Sequence, residues 1–327
     1  MAAFHLIVHI EGVIVLLRWR LISAFVIITL AVAVVTLDYR TPAFSGLFLI
    51  PLGMVFVVLA ADEMRALVVM KTTRAQRWLL NTLAALSFVF VSFPILYEAL
   101  KGPYPADCSI SRVGWLGLSL LASSVLLLSH ETFWYRGEDP TRIERITKSI
   151  FILVYPTSFL GMAVVLRQVG YMFHTASDAG PHGFGLAILV SVILIPKLSD
   201  TGAFFGGRKW GKRKLARFLS PNKSLEGAAF GLAAGSLASW LYFGFIAPAC
   251  FQIEPVTILR SLGYGLALSV AGVAGDLLES LFKRDAGEKD SSRWLPGLGG
   301  ILDTVDSILL AIPVAYLLCV LNWTGGG

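Results

Sequence analysis

The sequence predicts an all-α polytopic membrane protein with about nine transmembrane helices and a cytoplasmic N-terminus. Three observations carry this. Hydrophobic residues make up 56% of the 327 and charged ones only 15%, with a mean hydropathy of +0.74; a soluble chain of this length needs far more polar surface. Apolar stretches able to cross about 30 Å of hydrocarbon as helices recur along the whole chain. With nine spans, only Arg40, Lys101, Arg112, Arg167 and Arg260 fall on the far side. The other 22 of the 27 Lys and Arg gather on the near side, which the positive-inside rule makes cytoplasmic.

The expected spans are 21–38, 43–60, 79–97, 113–129, 149–166, 183–198, 227–247, 259–279 and 301–321. The second and sixth are short and carry Pro51 and Pro196. The stretch 6–17 is apolar but broken by His9 and Glu11. It reads as an interfacial segment, because no basic region precedes it as in a cleaved signal peptide. The net charge of +6 follows from this topology, so nucleic acid is not an expected partner. Cys108, Cys250 and Cys319 form no CxxC pair and read as isolated packing residues.

Two regions differ in character. Residues 1–182 form an N-terminal transmembrane region of about five spans, with basic residues near 65–77 and 136–148 that read as topology anchors. In 183–327 the loops lengthen, charges cluster, and acidic residues sit inside or beside apolar spans. Chemistry is expected there.

Residues 197–214 follow the sixth span. Asp200 stands where that helix should end, among Gly202, Gly206, Gly207 and Gly211, with Arg208, Lys209, Lys212 and Lys214 beside them. Glycines let backbone amides approach an anion and the cations complement it; the same composition also suits anionic lipid headgroups. In 220–227, Lys223 and Glu226 are neighbours if they share a first helical turn, with Ser220 or Ser224 as its N-cap.

The eighth span ends with Asp276, Glu279, Ser280 and Lys283 at helical spacing, hence on one face. A carboxylate in an apolar span is costly unless paired or metal-bound; a water-bridged Asp276–Lys283 pair is the structural alternative. Lys289 and Asp290 follow, then Asp303 and Asp306, three apart on the first turns of the last span. Their face meets that of Asp276 if the eighth and ninth helices pack side by side. Carboxylates gathered beside lysines at a membrane surface make a hard-cation site facing a polyphosphate, with Mg²⁺ the expected ion. A zinc site is not expected: His174 and His182 fall on the far side, and His5, His9 and His130 lie far away in sequence.

The segment 280–306 (SLFKRDAGEKDSSRWLPGLGGILDTVD) resembles, in register and without a gap, the signature of the CDP-diacylglycerol synthase (phosphatidate cytidylyltransferase) family. That signature runs Ser-x-x-Lys-Arg, four residues, Lys-Asp, then Pro-x-His-Gly-Gly-x-x-Asp-Arg-x-Asp. The upstream segments around Asp200–Arg208 and Ser220–Gly227 are similar to the family in the right order, so the resemblance covers roughly 196–321. Leu298 replaces the usual His and Thr304 the usual Arg.

The resemblance implies CTP and phosphatidate as substrates, in a multi-pass cell-membrane enzyme working at the cytoplasmic face among membrane lipids. It implies Mg²⁺ on Asp276 and Asp303 with Asp290 and Asp306 close by, a second cation being left open. Lys289 and Ser280 join the catalytic set, Ser280 orienting a ligand or a water. Asp200, Arg208, Lys223, Glu226, Lys283 and Arg284 are expected at the substrates, with Arg284 or Arg293 replacing the missing Arg. A homodimer is compatible with this, without a particular interface. The alternatives are a CTP-dependent enzyme on another lipid (a polyprenol kinase or an archaeal-type cytidylyltransferase) and a non-catalytic membrane relative. A transporter lacks support, since no repeat is present, and the Asp303-x-x-Asp306 spacing does not fit a CDP-alcohol phosphotransferase.

Overall fold

A computed structural model describes residues 2–68, 74–105, 107–134, 137, 140–173, 180–292, 294 and 299–324, with side chains undescribed at 2–20, 75, 173 and 180–181. Lys71, Arg136, His174, Arg293, Leu298 and residues 174–179 of the far-side loop lie outside these, as do the side chains of His5, His9 and Glu11.

The first helix, α1 (Ala2–Arg40), is continuous, so the stretch 6–17 extends the first span as the same helix. A tight turn at Pro42–Phe44 leads to α2 (Leu49–Leu67). The third span is broken into α3 (Arg74–Val91) and α4 (Phe93–Lys101), bent by 52°. Pro94 at the start of α4 cannot continue the hydrogen-bond ladder, and the Ser92 hydroxyl donates to Phe88 O (2.8 Å) at the break. After α5 (Ser111–Phe133), one span is made of α6 (Arg142–Ile152), a π-turn around Pro156, and α7 (Phe159–Arg167). Short α8 (Val169–Phe173) precedes α9 (Gly180–Trp210). Strands β1 (Lys214–Ala216) and β2 (Ser220–Ser224) form an antiparallel hairpin. Then come α10 (Leu225–Leu241), a second π-turn, α11 (Ala247–Phe251), α12 (Ile258–Asp285) and α13 (Ile301–Val320). Among the described residues eight segments are long and apolar enough to cross a membrane, and the bent α3–α4 pair makes a ninth. The chain is a multi-pass membrane protein.

One expectation is overturned. The glycine-rich run after 197 is not a loop: α9 continues through it to Trp210. Its glycines are a contact surface, since a Cβ at Gly202 would run into Ala234 and one at Gly206 into Phe230 of α10. Facing them, α10 carries Gly227, Gly231 and Gly235 at four-residue intervals, all buried. In lipid, where apolar burial gives no net drive between helices, such small-residue stripes let backbones approach and gain dispersion contacts.

At the far-side end, buried Arg167 joins four elements. Its Nε donates to Asp38 Oδ2 (2.8 Å), Nη2 to Ser45 Oγ (2.7 Å) and Nη1 to the His182 carbonyl (3.0 Å). The other Asp38 oxygen accepts from Gly46 N (2.6 Å). This ties α1, otherwise largely lipid-exposed, to the starts of α2 and α9 and the end of α7.

Candidate active site

Helices α12 and α13 approach so closely at Gly275 that a Cβ there would collide with the Asp306 carbonyl. That contact sets Asp276 beside Asp306. Asp276, Glu279 and Asp306 each present an oxygen, all within 4.8 Å of one another. Glu279 is fully buried; one oxygen accepts from Lys283 (2.9 Å), and Oε1 is buried with no partner among the described residues. Three converging carboxylates with an uncompensated buried oxygen fit a small hard cation, for which such donors are the usual ligands. Three lysines surround them. Lys197 Nζ lies 3.3 Å from Asp306 Oδ1, Lys223 pairs with Asp276, and Lys283 bridges Glu279 to Asp303 Oδ1 (2.8 Å).

Asp303 is next to this triad and engaged on both oxygens. Oδ2 accepts from Ser291 N (2.9 Å), Ser291 Oγ (2.8 Å) and Gly300 N (2.8 Å). It thereby ties Ser291 and Gly300 to the start of α13, aided by Gly299 at φ +90°, a conformation that favours glycine. The structure thus joins Asp276 and Asp306 with Glu279. It holds Asp303 one lysine away and leaves Lys289 and Asp290 exposed on the loop after α12.

Glu63 is a residue the sequence reading missed. It sits near the end of α2, buried, and accepts from Ser291 Oγ (2.9 Å), Ser292 Oγ (2.6 Å), Ile301 N (3.0 Å) and Leu302 N (2.8 Å). A carboxylate here satisfies the free amides of the α13 N-terminus and complements its dipole. Its signal was an acidic residue inside an apolar span, obscured by Asp62, which pairs with Arg65 (3.2 Å) and Arg77 (2.5 Å) as an ordinary surface anchor. Glu63→Gln turns an NH₂ toward at least one donor. Turnover is expected to fall about ten- to a hundredfold, the equivalent of roughly 1–3 kcal/mol for leaving buried donors unmatched. Steady-state kinetics and a melting curve on the purified variant check this; unchanged turnover would refute it.

The remaining residues named from sequence take varied places. Asp200, on α9, faces the same Lys197, Lys223, Asp276 and Asp306. Ser280 Oγ is 3.5 Å from Asp276 Oδ1. Lys223 and Glu226 are not neighbours on a helical turn: Lys223 belongs to β2, while Glu226 accepts from the amides of Lys212 (2.9 Å) and Arg213 (3.0 Å). Ser224 is the N-cap, accepting from Gly227 N at 3.1 Å. Arg208 is exposed at the end of α9. Arg284 Nε donates to Leu219 O (3.3 Å), tying α12 to the hairpin. Thr304 Oγ1 donates to Gly300 O (3.0 Å). Asp276 and Lys283, the alternative water-bridged pair, have direct partners elsewhere, Lys223 and Glu279 respectively. Two further residues went unread: Lys197, and Tyr155 in the first π-turn, whose buried hydroxyl has no partner among the described residues and lies within electrostatic reach of Glu279 and Asp306.

Comparison with known proteins agrees on a family. Residues 18–322 match the model of the cytidylyltransferase family, well beyond the 196–321 resemblance. A phosphatidate cytidylyltransferase of Pseudomonas aeruginosa is 37% identical over 230 residues, covering 67% of this chain and 78% of that protein. One from Haemophilus influenzae is 36% identical over 211 residues, 62% of this chain and 65% of its own length. One from Staphylococcus aureus is 37% identical over 206 residues, 62% and 68%.

Proposed function

The chain belongs to the cytidylyltransferase family, and we propose that it is a phosphatidate cytidylyltransferase, converting CTP and phosphatidate to CDP-diacylglycerol and diphosphate. The observation that carries this is the carboxylate triad ringed by Lys197, Lys223 and Lys283 at one end of the helix bundle. The near-side excess of basic residues supports a cytoplasmic position for that end, where CTP is available. A homodimer in the lipid bilayer is part of the same reading, and molar mass in detergent reads it.

A phosphate oxygen of phosphatidate attacks the α-phosphorus of CTP. The new P–O bond forms as the bond to the β-phosphate bridging oxygen breaks, and diphosphate leaves with that electron pair. The nucleophile is already anionic, so no general base is required, and alignment with charge neutralisation supplies the rate. Asp276, Glu279 and Asp306 would hold Mg²⁺, which when bound neutralises phosphate charge and polarises the reacting phosphoryl group. Lys197 and Lys223, at the rim, are placed to take phosphate oxygens from their present carboxylate partners. Lys283 is fixed by Asp303 and Glu279, so it presents its charge from a set position. Arg208, Arg284 and Lys289 are the further cations assigned to the distal phosphates. Asp303, Ser291 and Glu63 hold the loop that frames the site.

Membranes containing the chain, given phosphatidate, Mg²⁺ and CTP labelled at the α-phosphate, should pass label into lipid. EDTA should abolish this and added Mg²⁺ restore it. Diphosphate as product supports cytidylyl transfer; CDP would identify a kinase and overturn the reading.

A further inference from the structure

Beneath the triad an apolar groove runs through the bundle, with a volume of about 240 Å³. We propose that it holds one acyl chain of the lipid substrate and so fixes the lipid phosphate at Lys197; this rests on the phosphatidate reading above. The case is positional. On α9, Leu189, Val192 and Ile193 line the groove, and Lys197 stands one turn beyond Ile193 on the same face. On α13, Thr304, Ile308 and Ile312 line it at four-residue intervals, Thr304 nearest the site end. The upper end of the groove therefore lies one helical turn short of Lys197, whose Nζ is 3.3 Å from Asp306 Oδ1. Its lower end is closed by Gly46 and Arg167, the latter held in place by Asp38, Ser45 and the His182 carbonyl. Ile193 is 45% exposed, so the wall is open sideways to the bilayer, and a chain can slide in without leaving hydrocarbon.

A lipid tail is as apolar in the bilayer as in the groove, so transfer alone contributes little. What the groove adds is alignment: a threaded chain confines the phosphate to the turn of α9 that carries Lys197, and small misplacements of a reacting group are costly in rate. The diacyl tail thus becomes a positioning device, and the closed lower end limits how long a chain can be seated.

The test compares dihexanoyl with dioleoyl phosphatidate in mixed micelles, on the full chain. Ile193→Trp fills the groove from α9, and Leu52→Trp fills it from α2. Either should raise KM for the dioleoyl lipid about tenfold while leaving KM for the dihexanoyl lipid and for CTP unchanged. Leu121→Trp, on a lipid-facing surface of α5 outside the groove, should alter neither. Equal losses on both lipids, or an unchanged dioleoyl KM in both groove variants, would overturn the groove alone. A wild-type chain that transfers no cytidylyl group to either lipid would overturn the reading on which it rests.

Discussion

Asp276→Asn should stop cytidylyl transfer, lowering kcat about a thousandfold or more, roughly 4 kcal/mol of transition-state stabilisation, while the protein stays inserted and folded. Asp276 gives one of three convergent oxygens and is the ion-pair partner of Lys223. The neutral amide removes a hard anionic ligand and releases Lys223 from its set position. Both losses fall on charge neutralisation at the phosphates, which is where catalysis of this reaction resides. Asp306→Asn should behave alike. Asp303→Asn should also abolish turnover, by another route: its amide would meet donors at Lys283, Ser291 N and Gly300 N, so the loop onto α13 loosens. Thermal unfolding with and without Mg²⁺ separates them. The Asp276 variant should keep its Tm without metal and lose the Mg²⁺-dependent rise that binding to the native state gives. The Asp303 variant should melt lower in both conditions. Wild-type turnover in Asp276→Asn would sink the metal assignment.

Arg167→Met should be the most destabilising substitution at the far side. The guanidinium is buried and makes charged contacts with Asp38, Ser45 and His182. Its removal leaves Asp38, itself fully buried, with only the Gly46 amide among the described residues. Stranding a buried charge costs about 3–5 kcal/mol, and α1, with few other attachments, should lose its place. Replacing both partners, Asp38→Leu with Arg167→Met, should recover a large part of the loss because no ion is left unpaired. Thermal unfolding in detergent reads both variants. A single variant as stable as wild type would show that the node contributes little.

Much of this architecture was legible in the chain. Apolar runs gave the spans, because hydropathy responds to the bilayer and not to neighbouring residues. The 280–306 motif brought out Asp303 and Asp306, and helical spacing at the end of the eighth span brought out Asp276, because each signal lies in contiguous residues. Where reading failed, the cause was packing. Gly202, Gly206 and Gly207 read as a flexible loop, yet against α10 they are the sites where helices touch. Lys223 and Glu226 looked like helical neighbours, but a hairpin ends between them and Ser224 caps the helix that follows.

The sequence by itself determined that this is a helical, multi-span membrane protein with a carboxylate-rich site in its C-terminal part, since hydropathy and local spacing are properties of contiguous residues. Only the tertiary structure decided which carboxylates converge. Glu279 joins Asp276 and Asp306, Asp303 turns to its loop, and Glu63 comes from 228 residues before Ser291 to cap α13. Burial without water is the physical reason: each buried oxygen must find a donor or a cation, and which one it finds depends on helices meeting in space.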